Sequence, residues 1–180
     1  EMWEKNGYAD KTYITMNYGT DVMRAGLKQL KMWPKEYYEK LVKLIHQKLP
    51  EIKIVQLGDQ RAERIGGCDR YVFGESLEQI KWILKNSLAH VDCEGGLVHL
   101  ATQLGTACIV LFGPTPLHMY GYEENCNLQS SACHNCMGLH EDWAYSCFTG
   151  CGGACMREVE AEDVAEHLFA VLKRNNQKIR

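Results

Sequence analysis

Glu94-Gly95-Gly96 stands between an apolar run that ends at Cys93 and a helix-like run that begins at Leu97, with His99 one turn in. Adjacent glycines let backbone approach a ligand closely, and amides exposed at a helix start attract phosphate. In that first turn the imidazole of His99 can donate to a phosphate oxygen. The same residues also describe a plain strand-to-helix turn with a packed histidine. Residue chemistry alone weighs these two readings about evenly.

A second group is made of sulfur. Six of the nine cysteines fall in one stretch, at Cys126, Cys133, Cys136, Cys147, Cys151 and Cys155, while Cys68, Cys93 and Cys108 are scattered. A secreted disulfide framework spreads its cysteines more evenly through a smaller chain. Cys133 and Cys136, two residues apart, can grip one face of a metal, and a later pair can complete a tetrahedron. Five thiols compete for four places. The expected set is Cys133, Cys136, Cys147 and Cys155, with Cys151 or His134 as a substitute. Zinc suits tetrahedral sulfur. Disulfides or free thiols are the competing readings. No open triad of His and carboxylate accompanies the cysteines, so a closed structural site or an assembly element is expected, and a homo-oligomer is compatible with it.

The elements that must position these residues alternate. Tyr13 to Met16 reads as a short buried strand, and Trp33-Pro34 opens a helix with Tyr38, Leu41, Val42, Leu44, Ile45 and Leu49 on one face. Strands follow at 52–58, 71–73, 88–94 and 107–113, with a short helix at 63–65, helices at 77–87 and 96–105, and a terminal helix at 160–175. Ser76 caps the helix at 77–87. The strands are continuous apolar runs, which implies a parallel sheet with helices on both faces: an α/β, Rossmann-like fold. Ligands bind such sheets beyond the carboxyl ends of the strands. The loops that matter therefore start at Asn17, Gly58, Phe73, Cys93 and Gly113.

Composition narrows the classes. A chain of 180 residues with 46% hydrophobic and 24% charged residues suits one globular domain, here with a Cys-rich insertion at about 126–156. A net charge of −3 offers no basic surplus for nucleic acid. No apolar run approaches a membrane span and no signal peptide opens the chain, so a cytoplasmic location is expected. The chain enters a strand almost at once, as the later part of a longer protein would.

The stretch from 90 to 116 resembles the donor-site signature of glycosyltransferase family 9, the ADP-heptose lipopolysaccharide heptosyltransferases. That signature is an apolar strand, Asp-Ser/Thr/Gly-Gly, two residues, His-Leu-Ala, then a strand and Phe-Gly-Pro-Thr. Gly95, Gly96, His99, Leu100, Ala101, Phe112, Gly113, Pro114 and Thr115 fit it directly, and Glu94 stands where aspartate is usual. Lys31 to Pro34, Lys-Met-Trp-Pro, resembles the family's Lys-x-Trp-Pro. The resemblance implies that Lys31 neutralises the donor diphosphate and stabilises the leaving group. It also implies that Asn17, Tyr18 and Gly19 hold phosphate oxygens, with Glu94 to Leu97 and His99 completing the donor contacts. Asp59, or next to it Glu63, would lie near the ribose, and Phe73 with Gly74 near the adenine. Some relatives, which modify bacterial autotransporters, have a cysteine-ligated iron in a loop at this location, so iron joins zinc as a candidate.

What the resemblance implies is the C-terminal, nucleotide-sugar-binding half of a two-domain GT-B enzyme. The N-terminal acceptor domain, which supplies the general base, is not in this sequence, so the fragment alone is expected to be inactive. The donor would be ADP-heptose and the acceptor a lipopolysaccharide-type molecule or a protein, with no nucleic acid and no organic cofactor involved. The competing reading is a non-enzymatic interaction module organised by a cysteine-ligated metal.

Overall fold

Runs too short and too apolar for surface helices become the strands of one sheet. The computed structural model describes residues 12–19 and 29–178, with side chains to residue 174. In chain order the elements are β1 (Tyr13–Asn17), α1 (Lys35–Lys48), β2 (Lys53–Gly58), β3 (Arg70–Phe73), α2 (Leu77–Lys85), β4 (His90–Cys93), α3 (Gly96–Gln103), β5 (Cys108–Phe112), α4 (Leu117–Tyr120), β6 (Cys126–Gln129), α5 (Ala154–Arg157) and α6 (Ala161–Lys178). The sheet order is β3-β2-β1-β4-β5-β6, and every pairing is parallel. That is the doubly wound order expected from the alternation. Its reversal of direction falls between β1 and β4, which opens a crevice at their carboxyl ends.

Alternation along each strand divides the core into two layers. Ile14, Met16, Ile54, Val91, Ile109 and Leu111 face α1 and α6, where Trp33, Tyr38, Leu41, Ile45, Val164 and Leu168 meet them. Tyr13, Val55, Leu57, Val72, Val110 and Phe112 face the opposite way, onto Ile80, Ile83 and Leu84 of α2 and Val98 and Ala101 of α3. Burial of the strands on both faces explains their continuous apolar runs. Ser76 caps α2 as expected: its hydroxyl accepts from the Gln79 amide at 3.4 Å, and its own amide donates to the Gln79 side chain at 2.8 Å. No helix among the described residues is long and apolar enough to cross a membrane.

Two elements differ from expectation. Residues 63–65 are not helical. The buried Gln56 side chain takes over that backbone, donating to Glu63 O at 2.9 Å and accepting from Ile65 N at 2.7 Å, and so holds Ile65 in the core. The segment from Cys126 does not begin as a loop. Cys126–Gln129 pairs with Ile109–Phe112 as a sixth strand, and the cysteine-rich excursion starts only after it. Pro34 lies just outside α1 as its flanking residue rather than as its first helical one.

Candidate functional site

The crevice between β1 and β4 is built from three chain segments. β4 ends at Cys93, and the chain turns through Glu94 and Gly95 into α3. Among the described residues, nothing in the packing requires the glycines. A Cβ on Gly96 would meet no atom within 4 Å, and one on Gly95 only the Cys93 carbonyl at 3.8 Å. Gly95 has a φ of 171°, extended backbone open to any residue. The turn is bare on its outer side, and α3 has no side-chain cap among the described residues. Its first amides are therefore left to face whatever enters the crevice. The two glycines leave room for close approach from outside the turn.

Lys31 and His99 flank this turn through one carboxylate. Lys31 Nζ donates to Glu94 O at 3.3 Å and lies 3.9 Å from Glu94 Oε2. His99 Nε2 lies 3.5 Å from Glu94 Oε1. Glu94 is 8% exposed, whereas the His99 side chain is 37% exposed and can be reached from solvent. The structure thus brings together Lys31, Glu94, Gly95, Gly96 and His99. An anion at the α3 start would compete with Glu94 for the ammonium and the imidazole.

Lys31 is held from beneath and from above. Trp33, fully buried, donates its amide to Cys93 Sγ at 3.3 Å and its indole N–H to Val159 O at 2.7 Å. Burial pushes the Cys93 thiol up to about 12, so this cysteine is a packing group and an inert one. Leu30 N donates to Ala144 O at 2.7 Å, and the Gln29 amide reaches Tyr145 Oη at 3.5 Å. The cysteine-rich segment therefore forms one wall of the lysine loop.

β1 contributes a buried polar chain. His90 Nδ1 meets Thr15 Oγ1 at 2.9 Å, and His90 Nε2 lies 3.5 Å from Asp92 Oδ2. Asn17 Nδ2 donates to both Asp92 oxygens, at 3.2 and 3.1 Å, and to Gly19 O at 3.4 Å. Burial raises the Asp92 carboxyl above the usual range, while His90 and Asn17 pull it down. Among the described residues the amide donors of Asn17 are engaged, which leaves its carbonyl oxygen as the group it could offer a ligand. An acceptor suits a sugar hydroxyl better than the phosphate oxygen expected from the sequence. Tyr18 is buried, its ring edge-on to Tyr38 at 5.6 Å, and Gly19 has a φ of +145°, which favours glycine.

Asp59 and Phe73 lie elsewhere on the same rim, at the carboxyl ends of β2 and β3. β3 is three strand spacings from β4, about 14 Å. Asp59 is held by Arg61, whose backbone amide and guanidinium bind its two oxygens at 2.7 and 2.9 Å. The Arg61 hydrogen bonds keep its carboxyl below the usual range. Glu63 pairs instead with Lys35 at 2.7 Å. Phe73 stacks edge-on with Tyr71, and a Cβ on Gly58 would press on Ala62 and the Phe73 ring. Leu97 packs onto the α2–α3 side of the core.

The cysteine segment is anchored by the Gly113-Pro114 turn: Asn135 N donates to Gly113 O at 3.2 Å and Met137 N to Pro114 O at 2.9 Å. Here a glycine is required by packing, since a Cβ on Gly113 would meet Met156 Sδ at 2.4 Å. Cys133 and Cys151 form a disulfide, a pairing not singled out from five candidates. Cys147 Sγ lies 3.4 Å from Cys151 Sγ, and a hydrogen bond from Thr149 lowers the Cys147 thiol below its ordinary value. Cys136 and Cys155 are buried, and burial raises both thiols. Among the described residues, no group of three or more His, Cys, Asp or Glu is arranged to hold a metal ion. A tetrathiolate that includes Cys133 does not fit this disulfide-bonded form.

The Cys133–Cys151 link closes a loop across a sequence separation of 18. Loops of that order gain about 3 kcal/mol from cross-linking. The double variant Cys133→Ser/Cys151→Ser is expected to open this segment to protease cleavage between residues 137 and 150. Limited proteolysis followed by mass spectrometry reads the effect.

One contact at the site was not legible beforehand. Tyr122 Oη lies 3.0 Å from His99 Nδ1, with the rings edge-on at 5.5 Å. The two residues are 23 positions apart, and no local pattern links them.

Comparison with known proteins agrees with this architecture. Residues 4–142 match the family model described as glycosyltransferase family 9 (heptosyltransferase). Among solved structures, the chain is similar to ADP-heptose lps heptosyltransferase II of E. coli, with a TM-score of 0.70 and 18% identity over 97% of this chain and 51% of that one. It is also similar to a family 9 glycosyl transferase from Veillonella parvula DSM 2008, with a TM-score of 0.67 and 15% identity over 96% and 49%. A third is the dodecameric iron-containing heptosyltransferase TibC in complex with ADP-D-beta-D-heptose, with a TM-score of 0.68 and 11% identity over 93% and 46%; TibC is from enterotoxigenic E. coli H10407. The chain spans about half the length of these structures. No curated protein matches it.

Proposed function

Because the chain belongs to glycosyltransferase family 9, the heptosyltransferase family, we propose that it is the nucleotide-sugar-binding, C-terminal half of a GT-B glycosyltransferase. The donor is ADP-heptose, and the whole protein transfers the heptose to a lipopolysaccharide-type or protein acceptor. The observation that carries this reading is the bare Gly95-Gly96 turn at the start of α3, flanked by Lys31 and His99. Uncapped amides, an ammonium and an imidazole gathered about one turn suit a pyrophosphate.

In this reading the diphosphate sits against the Gly96 and Leu97 amides, and Lys31 supplies a positive charge as the bond to the sugar breaks. Charge that develops on the departing diphosphate is stabilised by groups already in place. The base lies toward β3 near Phe73, the ribose near Asp59, and the Asn17 carbonyl oxygen is available to a hydroxyl. The residue that removes the acceptor proton belongs to the other half of the protein, so this chain binds donor without completing transfer.

Calorimetric titration of the chain with ADP, UDP and GDP tests the proposal. Saturable binding with ADP preferred, and weakened by His99→Ala, is expected. Binding of none of the three, or binding indifferent to His99→Ala, would contradict it.

A metal at the cysteine segment is supported by the likeness to TibC, itself described as iron-containing. In this chain it requires the Cys133–Cys151 link to be reduced, so that Cys133 can join the free thiols Cys136, Cys147 and Cys155, with Cys151 in reserve. Metal content of protein purified with reductant throughout decides the point: stoichiometric iron or zinc supports the site, and neither metal dismisses it.

A further inference from the structure

We infer that Tyr122 is a positioning residue of the donor site: its hydroxyl donates to Nδ1 of His99 and keeps the ring proton on Nε2, the nitrogen that faces Glu94. This inference rests on the donor-site reading and adds to it a residue outside the glycine-turn signature.

A neutral imidazole carries one proton, and the partner of one nitrogen decides the role of the other. His99 Nε2 lies 3.5 Å from Glu94 Oε1 and can serve an anion, carboxylate or phosphate, as a donor. Nδ1 is then a bare lone pair that needs a donor. Tyr122 Oη, 3.0 Å away, is placed to supply one. The arrangement holds Nε2–H toward the crevice without requiring the ring to be charged.

The turn that carries Tyr122 is fastened to the helix that carries His99. Tyr122 O accepts from Asn127 Nδ2 at 2.8 Å and from Asn125 N at 3.2 Å. Asn125 Nδ2 donates to Thr102 Oγ1 at 2.8 Å, one turn along α3 from His99. The Tyr122 hydroxyl is thus referenced to α3 itself and moves with His99. A tyrosine present only to fill space needs its ring, and the edge-on ring contact at 5.5 Å would survive in phenylalanine. The hydroxyl is the part that acts on the histidine, so Tyr122→Phe separates the two roles.

The experiment compares wild type, Tyr122→Phe and Tyr122→Ala by two readouts. The first is the ¹⁵N ring spectrum of His99 in the free chain, at about pH 8.5, two units above the ordinary imidazole value. Wild type is expected to show Nδ1 unprotonated and Nε2 protonated, with Tyr122→Phe moving both shifts toward a tautomer average. The second is ADP affinity by calorimetry, where Tyr122→Phe is expected to lose about three- to tenfold, the worth of one hydrogen bond, and Tyr122→Ala no less. Unchanged ring shifts in Tyr122→Phe would overturn the inference, and so would altered shifts with unchanged affinity. A wild-type chain that binds no ADP overturns the donor-site reading and, with it, Tyr122's link to a ligand. The ring spectra would then judge the tautomer claim by itself.

Discussion

Lys31→Ala is expected to weaken ADP binding by about 10- to 100-fold, the loss that follows removal of a hydrogen-bonded charge partner from a phosphate. Lys31 points at the glycine turn and has Glu94 as its neighbour there, through the carbonyl at 3.3 Å and the carboxylate at 3.9 Å. Its loop is fixed by the buried Trp33 below and by Ala144 O above, so the ammonium is held in place before ligand arrives. The variant removes a long side chain from a partly exposed position and leaves the Trp33 contacts intact, so the fold should persist. Calorimetry at two salt concentrations checks the cause. Wild-type affinity should fall with salt and Lys31→Ala affinity should fall less, because a charge–charge attraction is screened. Equal affinity of the two proteins would remove Lys31 from the site.

The second large effect concerns stability. Asn17→Asp places a carboxylate where the amide now donates to both oxygens of the buried Asp92, at 3.1 and 3.2 Å. Two donated hydrogen bonds become a like-charge contact, and the cost at neutral pH is expected to be about 3 kcal/mol, typical of an uncompensated buried charge. The pH dependence follows from the direction of the Asp92 shift. Its folded carboxyl is raised by burial, and the new carboxyl raises it further. A group raised on folding contributes its stability fully below its unfolded value, about 3.9 for aspartate, and loses it as pH climbs through the folded value. Asn17→Asp should therefore be close to Asn17→Ala in acid and less stable than it at neutral pH. Thermal melts of both variants across that range are the check. Parallel melting curves would mean that Asn17 and Asp92 do not face each other.

Much of this architecture could be read from residue types. Both-face burial makes strands such as Ile109 to Phe112 continuous apolar runs, and helices separate them, so a doubly wound sheet with its ligand rim at the carboxyl ends follows. The glycine turn is legible because glycine is a backbone signal in its own right. Features that depend on side chains meeting across the fold were not legible. Cys126-Asn127-Leu128-Gln129 is half-exposed and polar, and it pairs only because β5 offers a free edge. Residues 63–65 lose a helix to Gln56, a buried amide whose reach no local pattern encodes. Spacing could not choose Cys151 as the partner of Cys133 over the three other candidate thiols. The engagement of Asn17 by Asp92 and of His99 by Tyr122 joins residues 75 and 23 positions apart.

On the proposed function, the crevice between β1 and β4 receives a diphosphate at the start of α3. A crystal structure of the chain grown with ADP tests it most directly. Phosphate oxygens are expected within hydrogen-bonding distance of the Gly96 and Leu97 amides, of Lys31 Nζ and of His99 Nε2. ADP seated away from these four groups, or a crevice that stays empty at saturating ADP, would contradict it.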